Sequence, residues 1–125
     1  MPSTHGYPQV MVATGAKLVF TSGQVALDAE EKLVANRTDY EGQTYQSVLN
    51  GYAGIAAAGG QPADAVRIML YVVDPTSDNL EKVYAGYGRA LEALAARPST
   101  MTLIGVSGLS DPDHVVEVDL TAVLD

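Results

Sequence analysis

Cysteine and tryptophan are both absent from this 125-residue chain. Without thiols there can be no disulfide, no thiolate metal site and no cysteine nucleophile. Basic residues are scarce: seven Lys and Arg stand against fifteen Asp and Glu, a net charge of −8 at pH 7. Such a balance repels phosphate backbones and argues against a dedicated nucleic-acid binder. No apolar run approaches the roughly 20 residues of a membrane-spanning helix. The opening Met-Pro-Ser-Thr-His-Gly has no basic stretch leading into an apolar one, so neither a membrane partner nor a secretory route is expected. A cytoplasmic location is. Charged residues make up 18% and apolar residues 47%, which fits neither a disordered chain nor a coiled coil. The length suits a single domain over 1–125.

Glycine and proline punctuate the sequence at intervals suited to short elements. Val10–Ala13 and Lys17–Thr21 are β-prone runs around Thr14-Gly15-Ala16 and predict a hairpin. Thr38-Asp39-Tyr40-Glu41 has a capping-box pattern and predicts a helix start. Tyr45, Val48, Leu49, Tyr52 and Ile55 then recur at helical spacing, until Gly59-Gly60 stops the helix. A second helix is predicted from Thr76–Asp78, with Leu80, Val83, Tyr84, Tyr87, Leu91 and Leu94 as its apolar stripe and Pro98 beyond its end. Between the helices, Ala65–Val73 alternates Val66, Ile68, Leu70 and Val72 with Arg67, Met69, Tyr71 and Val73. Both sets are mostly apolar, so this strand is expected to be buried on both faces. Thr100–Ser107 and Val115–Leu124 complete the order β-β-α-β-α-β-β, an α+β sheet with two helices on one face.

Two helices cover only one face of such a sheet. A central strand apolar on both faces would leave a large apolar patch exposed, which invites association. Other copies of the chain packed on that second face would resolve the conflict, so an oligomer is expected.

Few residues form a recognisable reactive cluster. The only histidines, His5 and His114, lack metal-ligand spacing, and Asp111, Asp113 and His114 beside Pro112 read as a solvated turn. No metal and no cofactor are expected. There is no G-x-S-x-G elbow, no P-loop and no dinucleotide fingerprint. Glu117 interrupts the last strand, where Val116, Val118 and Leu120 share one face and Glu117, Asp119 and Thr121 the other. Two readings are open: a solvated face, and a carboxylate at an interface between copies, where it would be a candidate acid/base. Ser22-Gly23-Gln24 likewise reads either as a bulge ending a strand or as a place where a ligand approaches the backbone.

Five segments in order resemble the Rid family of reactive-intermediate imine and enamine deaminases, also called the YjgF family. They are Gly6-Tyr7-Pro8-Gln9-Val10, Val19–Gln24 with its S-G-Q ending, the Q-x-x-Q-x-x-x-N of Gln43–Asn50, Val83-Tyr84, and Val116-Glu117-Val118. The resemblance implies a chorismate-mutase-like homotrimer with small-molecule sites in clefts between subunits. It also implies cofactor-free hydrolysis of imines or enamines to a keto acid and ammonia. By the same resemblance Glu117 is the catalytic, water-positioning carboxylate, and Tyr7, Ser22, Gly23 and Tyr84 bind or wall the substrate.

One part does not carry over. Deaminases of the family clamp the substrate carboxylate with an arginine, and alignment back from Val106 and Leu109 places Met101 there. Arg97, the candidate substitute clamp for the substrate, lies four residues earlier, in a style resembling subgroups that lack the deaminase arginine. A helical asparagine of some members is Glu81 here. With Met101 as an apolar wall and Glu81 beside Glu117, the pocket would favour a neutral, less polar or cationic ligand. A non-catalytic binding or regulatory trimer is the alternative. Ribonuclease activity, a label also attached to this family, is disfavoured by the acidic charge.

Overall fold

The computed structural model describes Met1 and residues 6–125; His5 lies outside them. The elements are β1 (Lys17–Phe20), α1 (Tyr40–Ala57), a 3-10 turn (Pro62–Asp64), β2 (Ala65–Val73), α2 (Ser77–Leu94), β3 (Thr100–Val106) and β4 (Val116–Leu124). The sheet has the order β1-β4-β2-β3, with β2 and β3 parallel and the other neighbours antiparallel. A parallel pair needs a crossover connection, and α2 supplies it between β2 and β3.

Helix ends follow local chemistry. Asp39, rather than Thr38, caps α1: its Oδ1 accepts from the Gly42 amide at 2.8 Å. Thr38 is engaged elsewhere, donating its hydroxyl to Asn36 Oδ1 at 2.6 Å, while Glu41 forms a surface ion pair with Arg89 at 2.8 Å. Thr76 Oγ1 caps α2 by accepting from Asn79. That helix ends on Ala95 in the left-handed conformation, φ 50°.

The two helices pack on one face of the sheet, over Ile68, Leu70 and Val72 of β2 and Val116, Val118, Leu120 and Ala122 of β4, all essentially inaccessible to solvent. Tyr84 is the exception in the predicted α2 stripe: it is 47% exposed, on the outer surface of the helix. In α1 the buried face centres on Gln43, Thr44 and Ser47 as well as Val48, Tyr52 and Ile55, so small and polar residues line part of the contact with α2. Gly86 of α2 meets the backbone of Glu41 and the Thr44 side chain there, with no room for a Cβ.

One expectation about the sheet needs correction. Val10–Ala13 forms no strand, and among the described residues the sheet has four strands rather than five. Val10, Met11 and Val12 are exposed, because the chain approaches β4 at Gly15 but reaches no second ladder outside β1. A β-prone sequence forms a strand only where a neighbour completes its hydrogen bonds. Within one chain the helix-facing residues of β2 are buried, while on the face left for other copies Met69, Tyr71 and Val73 are half-buried and Arg67 is exposed. The open face continues across β1 and β3 through Leu18, Phe20 and Ile104, which are 65%, 69% and 40% exposed.

Candidate functional site

The edge of the sheet is interrupted where β1 ends. Thr21 still pairs with Leu120, its amide donating to the Leu120 carbonyl at 3.0 Å and its hydroxyl accepting from the Leu120 amide at 3.0 Å. Gln24 then pairs with Val118 through two backbone bonds of 2.7 and 2.9 Å. Two residues, Ser22 and Gly23, therefore span the space opposite the single residue Asp119. This is a β-bulge, and bulges re-aim side chains and end pairing. Among the described residues, the backbone N–H groups of Ser22 and Gly23 donate to nothing.

Glu117 comes to this bulge from β4. A Cβ on Gly23 would lie 2.7 Å from Glu117 Cδ and overlap one carboxylate oxygen, so the carboxylate rests against the backbone at Gly23. Only glycine leaves that space. Free amide donors beside a carboxylate can polarise a bound group while the carboxylate handles a proton or a water.

Register places Tyr71 of β2 beside Glu117, and Met69 beside Asp119. The Tyr71 hydroxyl donates to Asp119 Oδ2 at 2.8 Å. That hydrogen bond foremost, then partial burial and the negative charges of Asp119 and Glu117, raise the Tyr71 pKa above its ordinary value, against an opposing pull from Arg67. Tyr71 therefore remains a neutral phenol at physiological pH. Arg67 lies two residues back on the same face as Met69, with Nε and Nη2 at 3.2 and 2.9 Å from the Met69 sulfur.

The structure thus brings Ser22, Gly23 and Glu117 together and adds Tyr71, Asp119 and Arg67. The other predicted residues lie elsewhere. Met101 pairs in register with Ile68 and packs against the core on the helix side, so within one chain it does not share the Glu117 face. Side chains alternate along a strand, and an offset of one residue moves a position to the opposite face. The open-face residues of β3 are Thr100, Thr102 and Ile104. Glu81 and Tyr84 are exposed on α2, on the far side of the sheet from Glu117; Glu81 borders a shallow depression with Glu41, Asp78, Lys82 and Ala85. Within one chain, no acidic pair of Glu81 and Glu117 forms. Arg97 is exposed in the segment before β3, without an ion pair among the described residues. Tyr7 is half-buried.

The Gln43–Asn50 motif holds the surroundings of the site in place. Buried Gln43 donates from Nε2 to the carbonyls of Ala35, Asn36 and Asp113 at 3.1, 3.2 and 2.8 Å, and its Oε1 accepts from the Val115 amide at 2.8 Å. Asn50, itself oriented by Gln46, donates to the carbonyls of Val25 and Leu27 at 2.9 Å each. One helix face thereby fixes the loop after the bulge and the approach to β4. A depression of about 420 Å³ beside the bulge is lined by Gly23, Gln24, Asp28, Glu31 and Asn50 among others, but Asp28 accepts from its own loop's amides.

Among solved structures, the chain is similar to YyfB of the Rid protein family from Yersinia pestis, at 30% identity and a TM-score of 0.83, over 95% of this chain and 87% of that one. It also resembles Escherichia coli YjgF (25% identity, TM-score 0.75, 93% and 87% covered). A third relative is E. coli TdcF, solved with bound serine (24% identity, TM-score 0.77, 94% and 89% covered). Comparison with curated proteins finds no match. The architecture is the chorismate-mutase-like α+β fold of these neighbours. The family model described as Endoribonuclease L-PSP matches residues 1–124, and the chain belongs to that family, the YjgF/Rid family.

Proposed function

We propose that the chain acts as a homotrimer whose open sheet face forms small-molecule sites at the seams between copies. There it hydrolyses an imine, enamine or related C=N metabolite without metal or organic cofactor. The supporting observation is the Glu117 carboxylate seated against Gly23, beside two unused amide donors, on a face that one chain leaves uncovered. Exposed Leu18, Phe20 and Ile104 supply apolar surface for association around it. Small-molecule binding in this fold is supported by the serine held in E. coli TdcF.

In this reading Glu117 takes a proton from a water as the oxygen bonds to the C=N carbon, and the π electron pair moves to nitrogen. Nitrogen takes that proton back from Glu117, giving a carbinolamine; transfer of the remaining hydroxyl proton to nitrogen then breaks the C–N bond, and ammonia leaves as the C=O forms. Water and imine become ketone or aldehyde and ammonia, with all atoms retained. The amides of Ser22 and Gly23 donate to the developing negative charge. A binding trimer without turnover is the second reading, supported by the absence of arginine from the open-face positions of β3, Thr100, Thr102 and Ile104.

An amino-acid oxidase that generates imines in the presence of the protein separates the two. Faster ammonia release than in buffer supports the hydrolase. Binding of a small molecule with no acceleration for any imine supports the second reading.

A further inference from the structure

The last strand puts two carboxylates on the open face, Glu117 and Asp119, and their surroundings differ. Glu117 makes no hydrogen bond and no ion pair among the described residues. Asp119 is tied: its Oδ2 accepts from the Tyr71 hydroxyl at 2.8 Å. Register sets Tyr71 beside Glu117, so the phenol reaches diagonally, past its direct neighbour, to the carboxylate two residues along. Arg67 turns its guanidinium to the Met69 sulfur and forms no ion pair with either carboxylate. Asp119 Oδ1 therefore keeps its lone pairs, with no partner among the described residues.

Position gives this difference a use. Asp119 is the residue that the Ser22-Gly23 bulge spans, so the unused amides and this carboxylate lie at one level of the β1–β4 pair. Glu117 and Asp119 stem from backbone positions about 7 Å apart, the two-residue repeat of a strand. A small reacting centre fits between side chains so spaced.

Imine hydrolysis asks for such a division. In its second half the carbinolamine hydroxyl proton moves to nitrogen, which leaves a negative oxygen and a positive –NH3 group on one carbon. The oxygen then forms C=O, and nitrogen departs as ammonia with the C–N electron pair. Donors belong beside that oxygen and a fixed anion beside that nitrogen. Glu117 changes charge each time it carries a proton, so it is not a fixed anion.

We propose that Asp119 is a second catalytic residue, its Oδ1 accepting an N–H from the departing nitrogen, and that Tyr71 is the positioning residue that holds it there. The inference rests on the hydrolytic reading of this face. It adds a negative charge for the nitrogen to the amides and the proton carrier already described.

The test is a double-mutant cycle on the full-length protein, with imine supplied at varied rates by an amino-acid oxidase and ammonia release as the readout. Asp119→Asn is expected to lower kcat at least about tenfold with KM within about twofold, the mark of an interaction made only in the transition state. Tyr71→Phe should lower kcat about fivefold, the worth of one hydrogen bond. Combined with Asp119→Asn it should lower kcat no further, because its effect passes through that carboxylate. Asp119→Glu, which keeps the charge, should retain part of the rate. Sedimentation and urea unfolding are run on each variant. Independent, multiplying losses in the double variant, unchanged kcat in Asp119→Asn, or losses confined to variants that no longer form the wild-type assembly overturn the assignment while leaving the hydrolase intact. Absence of acceleration by wild type overturns the hydrolytic reading itself, and this inference with it.

Discussion

The Glu117 carboxylate and the Gly23 backbone occupy adjoining space, with a Cβ at Gly23 placed 2.7 Å from Glu117 Cδ. The obstructing atoms belong to the end of a flexible side chain rather than to backbone, so the conflict can be relieved by rotating Glu117. Gly23→Ala is therefore expected to change stability by less than about 1 kcal/mol, at the low end for overpacking. Imine hydrolysis, in contrast, should fall at least tenfold through displacement of the carboxylate, about 1.4 kcal/mol in the barrier. Urea denaturation and ammonia release measured on the same preparation check both halves.

Gln43 is a stronger determinant of folding than its polarity suggests. Its amide serves three carbonyls and one N–H from two separate segments of the chain, 35–36 and 113–115. Gln43→Ala leaves these groups without partners and opens space in the core, and is expected to cost about 2–4 kcal/mol. The midpoint of urea unfolding should fall accordingly. Gln43→Glu, which keeps the acceptor but loses the donors, should not restore stability.

Tyr52 makes the fold sensitive to alkali. Burial foremost, with Tyr87 nearby, raises its pKa well above the ordinary tyrosine value. Because the folded-state pKa is raised, the associated stability is full below about pH 10 and is lost as the pH climbs beyond it. Its hydroxyl has no hydrogen-bond partner among the described residues. Tyr52→Phe should therefore stay within about 1 kcal/mol of wild type at pH 7. Above pH 10 its stability should fall less steeply, by up to about 1.4 kcal/mol per pH unit. Unfolding curves between pH 7 and 11.5 read the difference.

Ala95 ends α2 with φ 50°, where a Cβ is strained, and the Ala96 amide returns to the Leu91 carbonyl at 2.9 Å. The side chain is exposed, so little packing is lost on removing it. Ala95→Gly is expected to stabilise the fold by about 0.5–1 kcal/mol, the left-handed strain being partly offset by glycine's greater freedom when unfolded. Thermal unfolding should show a rise in Tm.

Much of this arrangement is legible in the sequence where patterns are strong. Ala65–Val73 forms a strand over the predicted span, and the alternation of β4 separates Glu117 and Asp119 from the core-facing valines. The S-G-Q triplet marks the bulge, where one of its two readings, a break in the strand, is what the backbone does. The contacts that depend on neighbours were less readable. Val10–Ala13 has β propensity but no ladder to join, and Met101 differs by one position from the residues facing Glu117. Gln43 and Asn50 carry no apolar signal, since their value lies in distant carbonyls. Arg67 comes onto the same face as Glu117 only once β2 and β4 are aligned.

The most direct test of the central claim compares wild type with Glu117→Gln for release of ammonia from an oxidase-generated amino-acid imine, with sedimentation run on both proteins. The carboxamide keeps the size of the side chain but cannot accept the proton from water. Wild type should sediment as a trimer and accelerate release, while the variant should form the same trimer and lose at least about a hundredfold in rate, the low end for removing a positioned acid/base. Undiminished hydrolysis by Glu117→Gln, or full activity from a solitary wild-type subunit, would contradict the account.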